Sequence, residues 1–221
     1  ADVLEAAGVN LDVTPQQVAE CVNEVGVGFM FALMHHSAMR HVSLARRELG
    51  LRTLFNVLGP MANPAGLKQQ LIGVYDRVLC RPVAQVLQRL GSEHILVVHS
   101  EDGLDEISLA ADTHVAELKN GVVSEYTLKP EQLGFKREGT LDLVVDGVEQ
   151  SLQLITSALA GEQDPLSQRA ASMIALNAGA ALYVAGVAAS IADGVNTAKG
   201  ILASGAGLEK LQQLAAMTRG F

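Results

Sequence analysis

The chain has 221 residues, of which 49% are hydrophobic and 18% charged, which suits one large globular domain or part of a two-domain protein. Its formal net charge of −8 argues against a general nucleic-acid-binding surface, since such a surface usually carries a basic excess. No apolar run approaches the roughly 20 residues that a membrane span needs. The two cysteines, Cys21 and Cys80, are far apart and predict reduced, buried thiols in a cytoplasmic protein.

The first part of the chain is predicted to be mainly helical. Residues 3–7 already follow a helical pattern with no cap before them, which predicts a chain that begins within or just before a helix. Thr14 and Gln17 fit a capping box, so a helix is expected over about residues 15–25. Two further helices are expected over residues 37–49 and 53–58.

The pattern then changes to alternating strands and helices. Residues 69–76 are strand-like, residues 81–91 form an amphipathic helix, and residues 94–100 are a continuous apolar run typical of a strand buried on both faces. Strand, helix and strand at this spacing predict a βαβ unit with a parallel pair. Residues 113–128 predict a hairpin that turns at Asn120-Gly121, and the tail from residue 150 is predicted to be helical.

One arginine is predicted to point inward. On a helix over residues 37–49, Arg46 lies at the edge of the apolar stripe, whereas Arg40 and Arg47 fall on the opposite, polar face. A partly buried arginine needs an anionic partner, which is either a ligand or, if the side chain only reaches past the stripe, a surface carboxylate. His36, just before this helix, is either a cap, a histidine satisfied in the core or a ligand-site residue.

An acidic loop follows the buried strand. In open α/β sheets, ligands bind beyond the carboxyl ends of the strands, and Asp105 and Glu106 fall there. Adjacent carboxylates diverge, so they could hold two Mg²⁺ ions, or one ion and a bridging water, together with substrate phosphates. The alternative is a solvated acidic loop in which Asp102-Gly103 forms a turn.

Three segments together carry a family resemblance: "HHSAMRHVSLARRELGLRTLFNVLGPMANP" (residues 35–64), "EDGLDEIS" (101–108) and "NAGAALYVAGVAASIADGV" (177–195). They strongly resemble anthranilate phosphoribosyltransferase of tryptophan biosynthesis, and the resemblance covers essentially the whole chain. It implies an α/β fold with a mostly parallel central sheet flanked by helices, as in nucleoside phosphorylases, plus part of a small helical domain. Residues 1–66 would be mainly helical and carry the anthranilate-site segment, and residues 67–221 would form the α/β domain with the Mg-binding loop.

The resemblance also implies a reaction and its site. The phosphoribosyl group of phosphoribosyl pyrophosphate (PRPP) would be transferred to anthranilate, giving N-(5-phosphoribosyl)anthranilate and pyrophosphate, with no covalent nucleophile or acid–base residue of the protein. Two Mg²⁺ ions would accompany PRPP, held by Asp105 and Glu106. Arg46 would bind the anthranilate carboxylate, and three further residues would line the anthranilate path: His36, Gly59 and Pro60.

The chain departs from the family pattern in one respect. The family's Gly-Thr-Gly-Gly-Asp diphosphate loop and its Lys-His-Gly-Asn segment do not occur in these 221 residues. The expectation is therefore a chain without the N-terminal third of the family pattern, whose complete form is a cytoplasmic homodimer that binds small-molecule substrates but neither nucleic acid nor membrane. The alternatives are an inactive fragment of that enzyme, or a related pyrimidine nucleoside phosphorylase, which is disfavoured because it would not need the "DGLDE" loop.

Overall fold

The computed structural model of the protein describes residues 1–35, 58–59 and 61–221. The predicted helix over residues 37–49, and with it His36 and Arg46, lies outside the described residues, as does Pro60. Nearly all of the predicted helix over residues 53–58 lies outside them too.

Within residues 1–35 the structure has three short helices: α1 (Asp2–Ala6), α2 (Pro15–Glu24) and α3 (Ala32–His35). The predicted capping box at the start of α2 is confirmed, because the N–H of Gln17 donates to the Thr14 hydroxyl (3.3 Å) and the N–H of Thr14 donates to the Gln17 side chain (2.8 Å). Each of these bonds satisfies a backbone donor that the helix cannot.

The strands of the central sheet lie side by side in chain order: β1 (Gln69–Gly73), β2 (His94–Ser100), β3 (Thr113–Lys119) and β4 (Val122–Leu128). Helix α4 (Cys80–Arg89) connects β1 to β2, which pair in parallel, so the predicted βαβ unit is confirmed. The β2–β3 and β3–β4 pairs are antiparallel. The sheet in the described residues is thus mixed rather than mostly parallel, within the predicted α/β architecture of a sheet flanked by helices.

The hairpin between β3 and β4 turns where the sequence predicts it. Asn120 and Gly121 both have positive φ angles, 52° and 75°. Two consecutive left-handed residues form the turn whose twist matches that of paired strands, and Asn-Gly is the pair that adopts it most readily.

Four α-helices follow the sheet: α5 (Val148–Leu159), α6 (Pro165–Val184), α7 (Ile191–Ala203) and α8 (Ala206–Arg219). Helices α6 and α7 cover one face of the sheet, and α4 covers the other. Residues 95–98 are at most 1% exposed because β2 is covered on both faces, which explains its continuous apolar run. Among the described helices, α6 included, none combines the length and apolar character of a membrane span.

A third apolar cluster joins the two ends of the described chain. Val9 and Cys21 pack there against Leu214 of α8, and Cys21 and Cys80 are both free and buried, as predicted. Burial raises the pKa of the Cys80 thiol to about 11, so this cysteine stays protonated and packs as a small apolar side chain.

Candidate active site

A loop of residues 101–112 connects β2 to β3 and leaves the sheet at the carboxyl ends of the parallel strands β1 and β2. Asp105 and Glu106 lie in this loop, and both expose part of their surface to solvent. This is the edge of the sheet at which open α/β folds bind their ligands.

The first half of the loop is a tight turn that Asp102 stabilises. Gly103 has a φ angle of +92°, and its N–H donates to the carbonyl of Ser100 (2.9 Å). The Asp102 carboxylate accepts from the N–H of Leu104 (3.3 Å) and from the hydroxyl of Ser108 (2.5 Å). The Asp102-Gly103 turn considered as an alternative is therefore present. It holds the loop, and it leaves Asp105 and Glu106 free for another role.

Close backbone contact fixes the position of Asp105 against the sheet. Gly73 ends β1 directly behind the loop, and a Cβ atom added to Gly73 would overlap the carbonyl oxygen of Asp105. Only glycine leaves room for this approach, since every other residue carries a Cβ. This function of Gly73 was not predicted from the sequence, where the only local signal is a glycine that interrupts the strand-like run at residues 69–76.

The second half of the loop is tied to helix α6. The side-chain amide of Asn177 bonds to the backbone of Ile107, the residue directly after Glu106. This contact was not predicted from the sequence either. Its only signal is a polar residue inside the long apolar helix, where a buried amide must find hydrogen-bond partners.

The electrostatics of the loop favour a cation. Partial burial and, second, the charge of the neighbouring Asp105 raise the pKa of Glu106 above its ordinary value. Two adjacent acids that both reach solvent supply the carboxylate oxygens that Mg²⁺ prefers, so these residues fit that ion. In the described residues no cluster of three or more His, Cys, Asp or Glu side chains is placed to ligate a metal. Mg²⁺ is commonly held by one or two carboxylates together with water and substrate phosphates.

Of the residues predicted to line the anthranilate path, only Gly59 is described. It belongs to a short helical turn in which its carbonyl accepts from the N–H of Ala62 (3.2 Å), and a Cβ atom added there would contact no described residue within 4 Å. Met61 follows and packs against the apolar cluster between α4 and the sheet. Of the predicted site residues, Gly59, Asp105 and Glu106 are thus the ones that the structure describes.

A second ionisable cluster lies at the opposite end of β2. Nε2 of His94 lies 2.9 Å from a carboxylate oxygen of Glu117, to which the Tyr183 hydroxyl also donates (2.8 Å). Lys119 donates to that hydroxyl in turn (2.9 Å). These mutual bonds satisfy a largely buried carboxylate and tie α6 to the sheet, which gives the cluster a structural role.

Comparison with known proteins agrees with this architecture. A sequence model described as "Glycosyl transferase family, a/b domain" matches residues 1–208. The chain is 59% identical over 221 residues to an anthranilate phosphoribosyltransferase of Ectopseudomonas mendocina, and 56% identical over 219 residues to one of Cellvibrio japonicus. These matches cover 100% and 99% of this chain and 64% of each relative, so the chain spans about 64% of the length of these curated relatives.

Solved structures give the same result. The crystal structure of anthranilate phosphoribosyltransferase from Thermus thermophilus superposes with a TM-score of 0.88 at 41% identity, covering 99% of this chain and 64% of that one. A yeast anthranilate phosphoribosyltransferase in complex with PRPP and Mg superposes with a TM-score of 0.86 over 100% of this chain and 62% of that one, and at 23% identity it shows a shared fold alone. The resemblance read from the three sequence motifs is confirmed, and the chain belongs to the glycosyl transferase family with an a/b domain, in which it is similar to anthranilate phosphoribosyltransferases.

Proposed function

We propose that the complete protein transfers the phosphoribosyl group of PRPP to the amine of anthranilate and releases pyrophosphate. The observation that carries this proposal is the position of Asp105 and Glu106, side by side at the ligand-binding edge of the sheet in a loop held by Gly73 and Asn177. The names of the relatives support the choice of reaction.

Asp105 and Glu106 would hold the Mg²⁺ that accompanies PRPP. When bound, the ion supplies charge neutralisation for the departing pyrophosphate. The two side chains suit this role because the Glu106 carboxylate lies in an environment that disfavours its negative charge, so a cation is favoured there. Fixing the loop beforehand keeps them aligned without reorganisation during the reaction.

The anthranilate half of the site is proposed from the sequence. Arg46 would pair with the anthranilate carboxylate through its forked guanidinium and so orient the neutral amine, which needs positioning more than activation. Three residues complete the proposed path: His36, Gly59 and Pro60.

The reaction can be followed by the loss of anthranilate fluorescence when PRPP and Mg²⁺ are added, with EDTA as the metal control. The assay should be run on the 221-residue chain and on the same chain joined to the part of the 59% identical relative that it does not match. Metal-dependent loss in either sample supports the proposal. Loss only in the joined sample would identify the isolated chain as an inactive fragment, and no loss in either would show the proposed function to be wrong.

Site variants then assign the residues. Arg46→Ala should chiefly raise the KM for anthranilate, and Arg47→Ala, on the face predicted to be polar, is its matched control. Glu106→Gln combined with Asp105→Asn should chiefly lower kcat. Glu101→Gln, an exposed acid in the same loop, is the control for that pair. Equal kinetics in the site variants and their controls would contradict the assignment.

A cytoplasmic location and a homodimeric complete protein belong to the same proposal. Free, buried Cys21 and Cys80 support a reducing compartment. Sedimentation of the joined protein used in the fluorescence assay would test the dimer.

A further inference from the structure

Asn177 makes an unusual set of contacts for a residue in the middle of a helix. Its Oδ1 accepts from the backbone N–H of Ile107 (2.9 Å), and its Nδ2 donates to the carbonyl of the same residue (3.0 Å). A further bond from Nδ2 to the carbonyl of Met173, one turn earlier in α6, fixes the rotamer of the side chain (3.1 Å). Three of the four hydrogen bonds that an amide can form are therefore made.

These bonds hold the loop of residues 101–112, which carries Asp105 and Glu106. Ile107 follows Glu106, and its side chain is 2% exposed in the core beneath α6 and α7. Neither polar backbone group of Ile107 takes part in a strand, so without Asn177 both would lose this partner in a poorly hydrated place. The amide thus substitutes for a neighbouring strand and sets the direction in which the chain leaves Glu106.

The loop is held from both sides. Gly73 lets the end of β1 approach the backbone of Asp105, while Asn177 holds the backbone one residue beyond Glu106. Asparagine is not a favourable residue inside a helix, because its side chain competes for backbone hydrogen bonds. Its presence in α6 is explained by the loop rather than by the helix.

We propose that Asn177 is a positioning residue for the metal site. It would touch neither substrate nor ion, and it would fix the backbone that carries Asp105 and Glu106, the two carboxylates that would hold Mg²⁺. This inference rests on the proposed function for the identity of the ligand. Residues that orient metal-binding side chains typically change metal affinity or activity by about 10–100-fold when substituted.

The test compares Asn177→Ala with Tyr183→Phe, both made in the joined protein of the fluorescence assay, which without either substitution is the parent protein. Tyr183 is a matched control because it lies on the same helix and also donates a hydrogen bond to a buried group, but at the opposite end of β2. Asn177→Ala should raise the Mg²⁺ concentration for half-maximal rate about 10–100-fold and leave the KM for anthranilate unchanged. Tyr183→Phe should change neither. A general loss of structure would instead move both kinetic quantities together.

Two further measurements do not depend on turnover. Hydrogen exchange at the Ile107 amide should be slow in the parent protein and in Tyr183→Phe, and fast in Asn177→Ala. Calorimetric titration with Mg²⁺ and pyrophosphate should give about 10–100-fold weaker binding in Asn177→Ala alone.

The outcomes separate the two proposals. No metal-dependent transfer by the parent protein, together with weaker Mg²⁺–pyrophosphate binding in Asn177→Ala, would refute the reaction and support the positioning role. Transfer by the parent protein with an unchanged Mg²⁺ requirement in Asn177→Ala would overturn the positioning role alone. A parent protein that binds no Mg²⁺ and pyrophosphate would overturn both.

Discussion

Helices α6 and α7 cross so closely that glycine is required where they touch, and this contact gives the sharpest test of the fold. A Cβ atom on Gly194 of α7 would overlap the carbonyl oxygen of Gly179 of α6. One on Gly179 would lie 2.5 Å from the backbone nitrogen of Val195. Gly200, further along α7, is exposed, and a Cβ atom there would contact nothing within 4 Å.

The substitutions Gly194→Ala and Gly200→Ala should therefore differ in their effect on stability. In a helix, alanine is favoured over glycine by about 0.8–1.0 kcal/mol, and this gain largely cancels when the two variants are compared. The difference between them then isolates the strain of separating two packed backbones. Overpacking of this kind costs about 1–3 kcal/mol. We expect Gly200→Ala to be somewhat more stable than the parent chain, and Gly194→Ala to be less stable than Gly200→Ala by that amount.

Urea denaturation followed by far-ultraviolet circular dichroism is a suitable assay, because the chain contains no Trp and 3 Tyr residues. In a chain of this size, 1 kcal/mol corresponds to about 2–4 °C in Tm, so thermal denaturation should separate the variants by about 2–12 °C. If Gly194→Ala proves as stable as Gly200→Ala, the close crossing of α6 and α7 is wrong.

Three further predictions concern the site and the N-terminal helices. Folding raises the pKa of Glu106, so the ionised Glu106 side chain destabilises the folded protein, increasingly as the pH rises from the ordinary pKa of 4.5 through the raised pKa. Glu106→Gln should therefore raise Tm at pH 7 but not at pH 4. Equal effects on Tm at both pH values would contradict the raised pKa. Gly73→Ala should force the loop away from β1, lower the free energy of unfolding by about 1–3 kcal/mol in urea denaturation and raise the Mg²⁺ requirement of the active protein. Thr14→Ala should remove the cap of α2 and cost about 1 kcal/mol in the same denaturation assay, and a loss close to zero would mean that the capping box adds nothing in the folded chain.

Local signals were enough to predict several elements. The capping box at Thr14, the turn at Asn120-Gly121 and the buried strand β2 each depend on residues within a few positions of one another. Hydrogen bonds between neighbours, the conformational preference of glycine and asparagine, and burial on both faces act over that range, so the sequence alone carries them. The antiparallel pairing of β2 with β3 was not predicted, because the acidic loop between them carries no short turn signal.

The sequence by itself determined the family and pointed to Asp105 and Glu106, since motifs and the order of strand and loop are properties of the chain. Only the tertiary structure showed what fixes these carboxylates. Gly73 acts by lacking a side chain where another segment passes, and Asn177 acts through a hydrogen bond to a residue 70 positions away. Each effect leaves only a weak local signal, a glycine in a strand or a polar residue in an apolar helix, because both arise from contacts that form only when β1, the loop and α6 come together in the folded protein.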